Sequence, residues 1–260
     1  MPKALIFLLI CSILVALVQA VPEGRIMSGT SALKGQFPYY ILMVRSDGFF
    51  CGGSIISRNY ILTAAHCVTK NINGDIYLVP PNNYRINAGS NNIYQGVLTE
   101  VADIIVHKGY RKEGVHDIAL MKLAEPLTFT NYIRPISLSR NDPPAGSTVD
   151  ICGYGYLDNS GLNTQILQWT VVYAISIETC KLTTNAAVFW DSILCLAHYS
   201  NHGSCFGDSG GPATLNNELI GISSFIVRGC GSGVPNGYTR VRPYLDWIEK
   251  HSDYRELIGY

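Results

Sequence analysis

The sequence predicts an all-β protein, a sandwich or barrel organised in two halves. Twelve short runs rich in β-branched and aromatic residues are broken at regular spacing by turn residues. Six of them fall on each side of about residue 135, and "PLTFTNYIRPISLSRNDPPAG" (126–146) reads as the connector. Helical periodicity stands out in one place, at the C-terminal end.

The first six runs are 38–44, 51–57, 60–67, 84–90, 101–107 and 118–123. The second six are 147–155, 166–175, 192–197, 211–217, 218–227 and 235–241. In "VRPYLDWIEKHS" (241–252), Val241, Tyr244, Leu245 and Ile248 stand at i, i+3, i+4 and i+7. That spacing makes one apolar helix face, suited to packing on the β structure. Pro243 fits such a helix only in its first turn.

Composition narrows the function. The 260 residues are 47% hydrophobic and 15% charged, so a sizeable core is expected and disorder is not. Lys and Arg number 19, as do Asp and Glu. A net charge of zero gives no electrostatic case for nucleic acid or an anionic membrane. Lys3, the apolar stretch 4–18, and the small residues Val18 and Ala20 read as a signal peptide ending at Ala20. The mature protein is therefore expected to be soluble, secreted and extracellular. Of eight cysteines, Cys11 leaves with that peptide. Seven remain in a compartment that favours disulfides, so at least one is unpaired or pairs outside the chain.

Three short motifs carry the chemistry. "SCFGDSGGP" (204–212) crowds glycines around Ser209. A serine hydroxyl needs a base, and the base needs an orienting group. His66 in "LTAAHC" (62–67) ends an apolar run, whereas His107, His116, His198, His202 and His251 lie in polar stretches. Asp117 in "HDIALMKL" (116–123) stands at the mouth of an apolar strand.

In this order and over this span, the three motifs resemble the chymotrypsin-like (trypsin-fold) serine endopeptidases. "CGGSIIS" (51–57) and "YLDWIEKH" (244–251) extend the resemblance over nearly all of residues 26–260. It implies two six-stranded antiparallel barrels, 26–135 and 136–240, a C-terminal helix, and an active site in the cleft between barrels. It implies Ser209 as nucleophile, His66 as base and Asp117 as its orienting acid, with the N–H groups of Gly207 and Ser209 as oxyanion hole. A five-residue propeptide, 21–25, would be cut at Arg25–Ile26 by a trypsin-like activator, and the new Ile26 ammonium would pair with Asp208. Met27 and Ser28 depart from the family's usual Ile-Val-Gly-Gly start.

The resemblance also implies the bridges Cys51–Cys67, Cys180–Cys195 and Cys205–Cys230, which leaves Cys152 as a buried free thiol. Gly203 would be the base of the primary pocket, Ile226 and Asn236 its walls, and Ser224, Phe225 and Ile226 the strand that meets an extended substrate. Without an acid at Gly203, cleavage after Lys or Arg is disfavoured. Small to medium uncharged side chains are expected, elastase-like ahead of chymotrypsin-like. "GSNNIYQG" (89–96) has no acidic side chain, so no calcium is expected there, nor any other metal or cofactor. Expected partners are protein or peptide substrates, the activator and protein protease inhibitors, with the chain itself a monomer. The rival reading is a catalytically silent homologue that acts by binding.

Overall fold

The computed structural model describes residues 29–111, 114–157, 160–162, 164–184, 192–199 and 202–255. After a short strand β1 (Thr30–Ser31) come β2 (Tyr40–Arg45), β3 (Phe50–Ile55) and β4 (Tyr60–Thr63). A helical turn α1 (Ala65–Val68) leads into β5 (Thr69–Ile72) and β6 (Asp75–Leu78), which pair only with each other. β7 (Tyr84–Ala88), β8 (Val97–Val106) and β9 (Ala119–Leu123) complete the first half. The strands close in the order β2-β3-β4-β9-β8-β7, a six-stranded barrel. Its register sets Ile61 opposite Met121 and Leu62 opposite Leu120, all fully buried. Each such side chain contributes on the order of 1.5–3 kcal/mol by leaving water.

The second half holds β10 (Ser137–Leu138), β11 (Thr148–Gly153), β12 (Gln168–Ile175) and α2 (Ile177–Thr184). β13 (Ile193–Ala197), β14 (Pro212–Leu215), β15 (Glu218–Phe225) and β16 (Asn236–Arg240) follow. The ring β12-β11-β14-β15-β16 closes through β13, which pairs with both β16 and β12. Val149, Ile151, Val172, Leu194, Leu196 and Ile220 fill this second barrel. β1 adds antiparallel to β12 at its edge, and β10 adds parallel to β15.

All twelve expected runs contain a barrel strand. Several runs extend a residue or more past their strand, and 60–67 does so with a change of structure: the strand stops at Thr63, and Ala65–Val68 turns into α1. The C-terminal helix begins with a 3-10 turn, Arg242–Tyr244, that holds Pro243, and continues as α3 (Leu245–His251). Val241, Tyr244, Leu245 and Ile248 are all buried. Three histidines expected in polar surroundings are instead packed among rings. His107 lies 4.6 Å from the His116 ring and 5.4 Å from both Tyr244 and Trp247, and Trp247 lies 5.2 Å from His251. This cluster ties α3 to the loop before Asp117. Among the described residues, no helix is long and apolar enough to cross a membrane.

Candidate active site

His66 lies in α1, in the turn just after β4, and Asp117 lies two residues before β9. β4 and β9 are neighbours in the first barrel, so their pairing brings the two residues together. Asp117 is 2% exposed. Its Oδ1 accepts the His66 backbone N–H at 2.9 Å, and its Oδ2 lies 2.7 Å from His66 Nδ1. The Ser224 hydroxyl donates to the same Oδ2 at 2.6 Å, and the Thr239 hydroxyl donates to the Asp117 carbonyl at 2.8 Å. A buried carboxylate is tolerable only when its lone pairs are used in this way.

The electrostatics follow from that contact. Burial works against the charged imidazole, but Asp117 outweighs it and the His66 pKa is raised. Burial likewise favours neutral Asp117, yet His66, Ser224 and the His66 N–H together hold its pKa below the usual carboxylate value. A histidine whose Nδ1 is committed to a buried acid keeps Nε2 for other work.

Ser209 lies in the loop between β13 and β14. The loop is stitched by Asp208 N–H to Cys205 O (3.1 Å), Gly211 N–H to Asp208 O (3.0 Å) and Gly210 N–H to Ser223 O (2.8 Å). Gly52 of β3 donates to the Ser209 carbonyl at 2.7 Å, which binds the loop to the first barrel. Gly207 and Gly210 have φ of +99° and +74°, the left-handed region that disfavours other residues. A β-carbon on Gly207 would strike the Phe50 ring, and one on Gly210 would strike Thr63 Oγ1 and approach Cys67 Sγ. The serine loop is thus pressed against the segment that carries His66.

Asp208 points inward and is 3% exposed. Its Oδ1 takes the Gly155 N–H and its Oδ2 the Cys205 N–H, each at 2.8 Å. Burial outweighs these two bonds and pushes its pKa up to about 6. Arg25 and Ile26 lie outside the described residues.

Beside Ser209 opens a cavity of about 260 Å³, lined by Cys205, Phe206, Ser209 and residues 223–226. Ser224, Phe225 and Ile226, expected to meet an extended substrate, all line this cavity. The Ser224 hydroxyl donates to Asp117. Gly203 and Asn236 do not line this cavity. Asn236 is 1% exposed and turned away: its Nδ2 donates to Ser204 Oγ at 3.1 Å, and its Oδ1 accepts the Val227 N–H at 3.3 Å. Gly203 is buried at φ +100°, with the His198 ring 2.8 Å from where a β-carbon would stand. Phe206, 59% exposed at the rim, was not anticipated. Nothing in its sequence context marks it beyond its place three residues before the serine.

Three disulfides brace the site: Cys51–Cys67 joins β3 to α1, Cys205–Cys230 anchors the serine loop, and Cys180–Cys195 ties α2 to β13. Cys152 is free and buried, and burial pushes its thiol pKa well up. Such a thiol stays protonated and unreactive. Cys51, His66 and Cys67 bring donor atoms within 4.8 Å of one another. Both sulfurs are spent in the bridge, so this cluster has no thiolate for a metal.

Two six-stranded antiparallel barrels, with a half-buried histidine on a buried aspartate of one and a serine loop of the other, define a trypsin-fold serine protease. The Trypsin family profile matches residues 26–248, and the chain belongs to that family. It is 38% identical to Serine protease SP24D of Anopheles gambiae over 226 residues, 87% of this chain and 80% of that one. It is 34% identical to a collagenase of Hypoderma lineatum over 248 residues, 88% of each chain. A solved collagenase structure superposes with a TM-score of 0.76 at 31% identity, covering 89% of this chain and 99% of that one.

Proposed function

We propose that this chain is a secreted endopeptidase, made as a zymogen, that cuts peptide bonds through Ser209, His66 and Asp117. The observation that carries this reading is the Asp117 carboxylate 2.7 Å from His66 Nδ1, beside a serine loop shaped by left-handed glycines. His66 Nε2 takes the Ser209 proton as Oγ attacks the scissile carbonyl. The oxyanion that forms accepts the N–H groups of Gly207 and Ser209, each worth roughly 3 kcal/mol. The imidazolium, stabilised by Asp117, then protonates the leaving amine as the C–N bond breaks. Water, deprotonated by His66, hydrolyses the acyl-enzyme and restores Ser209.

Activation is the second part of the proposal. Cutting after Arg25 would free the Ile26 ammonium to pair with Asp208. The support is a carboxylate that, among the described residues, is buried with two neutral donors, where a cation would relieve the cost of its charge. The chain's apolar first twenty residues and its three disulfides support secretion.

The third part is substrate choice. Among the described residues, no charged side chain lines the cavity, and Phe225 and the β-branched Ile226 are part of its wall. The residue before the cut is then small to medium and uncharged. Gly203 supports the same reading from below, since His198 occupies the side where an acid would have to stand. A peptide-library cleavage profile of the protein cut at Arg25 tests this. Cleavage mainly after Lys or Arg contradicts it, and a preference for Phe or Tyr means that Ile226 leaves more room.

A further inference from the structure

His107, His116 and His251 take no part in the proposed mechanism, yet their ring cluster adjoins Asp117. His116 precedes Asp117 in the chain and has φ +51°, the left-handed region that disfavours residues with a β-carbon. The Ile118 N–H donates to the His116 carbonyl at 2.8 Å. That bond closes a three-residue turn with Asp117 at its centre. What fixes His116 therefore helps to fix the direction of the Asp117 carboxylate.

The His116 side chain meets Tyr244, His107 and Gly109. Its Nδ1 lies 2.8 Å from the Tyr244 hydroxyl. Its ring lies 4.6 Å from the His107 ring, with the planes 35° apart. Gly109 covers it, because a β-carbon there would stand 2.6 Å from His116 Cδ2. His107 in turn holds Gly109, whose N–H donates to His107 Nδ1 at 3.1 Å. The His107 N–H donates to the Ile118 carbonyl at 3.2 Å, so the cluster grips the chain on both sides of Asp117. Tyr244 comes from the turn before α3 and is buried. Burial raises its hydroxyl pKa, and Asp117 is near enough to add to the rise.

We propose that His116 is a positioning residue for Asp117: bonded to Tyr244 and stacked on an uncharged His107, it holds the turn that aims the carboxylate at His66. The proposal rests on the triad reading and adds to it a support behind Asp117.

The hold has a titratable part. Among the described residues, His107 is faced by His116 and Tyr244, with Lys108 and His251 near enough to act on it. Burial lowers its pKa from 6.5, and His116, Lys108 and His251 lower it further. A proton on Nδ1 would set a donor against the Gly109 N–H and a charge against His116. The hold is therefore complete at neutral pH and is lost as pH falls through the lowered value.

The test compares kcat and KM of Arg25-cut variants on one peptide substrate. His116→Gly keeps the left-handed backbone and removes the side chain. Its kcat should fall about tenfold with KM unchanged, because a small misplacement of Asp117 costs rate rather than binding. Tyr244→Phe, which removes only the hydroxyl, should lose a similar factor. His116→Asn, whose amide can stand where Nδ1 stood, should restore kcat. An unchanged kcat in His116→Gly, a loss confined to KM, a wild-type kcat in Tyr244→Phe, or no rescue by asparagine overturns the proposal.

The pH profile reads the same hold independently. Below the His107 pKa, the acid limb of wild-type log kcat/KM should steepen from a slope of about one to about two. His107→Asn keeps an acceptor for the Gly109 N–H and cannot take the charge, so it should not steepen. A wild-type limb that never steepens, or steepening kept by His107→Asn, overturns the proposal. The His66 Nδ1–H resonance, followed by proton NMR in Ser209→Ala protein, separates this support from the triad reading. If cut wild type cleaves nothing while His116→Gly shifts that resonance, the triad reading falls and the support of Asp117 stands. A resonance that His116→Gly leaves in place overturns the proposal.

Discussion

Asp117 holds three donors on its two carboxylate oxygens: the His66 N–H, the His66 ring and the Ser224 hydroxyl. Its charge is therefore fixed in place, and the raised His66 pKa is a consequence. Because the base must be neutral to accept a proton, kcat/KM should fall as pH drops, with a midpoint above the ordinary 6.5. Asp117→Asn should lower kcat by about 10⁴-fold by favouring the wrong tautomer, with KM little changed. Gly203 yields a second expectation at this scale. Gly203→Asp requires a β-carbon at φ +100° and against His198, so it should not confer cleavage after Lys or Arg. It should instead lower the melting temperature. Retained stability with new activity on an Arg amide would show that the loop yields. The residues proposed as a triad stand out in the sequence because each sits in a run of family-like neighbours. Asn236 was not, because its orientation depends on Ser204 and Val227, which spacing does not reveal.

Elements show the same division. Barrel strands were legible because short apolar runs between turn residues have few alternatives. The hairpin β5–β6 was missed although its turn, Asn73–Gly74, is a strong two-residue hairpin sequence. Both residues adopt positive φ, 54° and 97°. Its strands escaped notice because neither face is buried, which removes the polar–apolar alternation that marks a strand. α2 was missed for a related reason: of "IETCKLTT" only Cys180 and Thr184 are buried, and its threonines favour helix weakly. Its place depends on the Cys180–Cys195 bridge and on Ser176, whose hydroxyl accepts the Thr179 N–H at 3.1 Å. Replacing both cysteines by alanine should cost about 2–4 kcal/mol in a denaturant titration. A change below half a kcal/mol would mean that α2 is held by its packing.

At the scale of the whole molecule, the two barrels meet at the serine loop, and Asp208 sits behind it. Left without an ammonium partner, Asp208 carries a pKa of about 6 in the folded chain against 3.8 ordinarily. A raised acid stabilises the fold below its unfolded pKa and loses that contribution as pH rises through the folded value. Stability of the uncut Ser209→Ala protein should thus fall by roughly 3 kcal/mol between about pH 4 and pH 6. Cutting after Arg25 should flatten that slope, as thermal melts across the range would show; an unchanged slope would remove the Ile26–Asp208 pairing. Whether Ser209 is an activated nucleophile decides the proposed function. The most direct measurement is labelling of Arg25-cut protein with a serine-directed fluorophosphonate, mapped by mass spectrometry. One adduct is expected, on Ser209, abolished by His66→Ala. Folded, correctly cut protein that takes no label at Ser209 would contradict it.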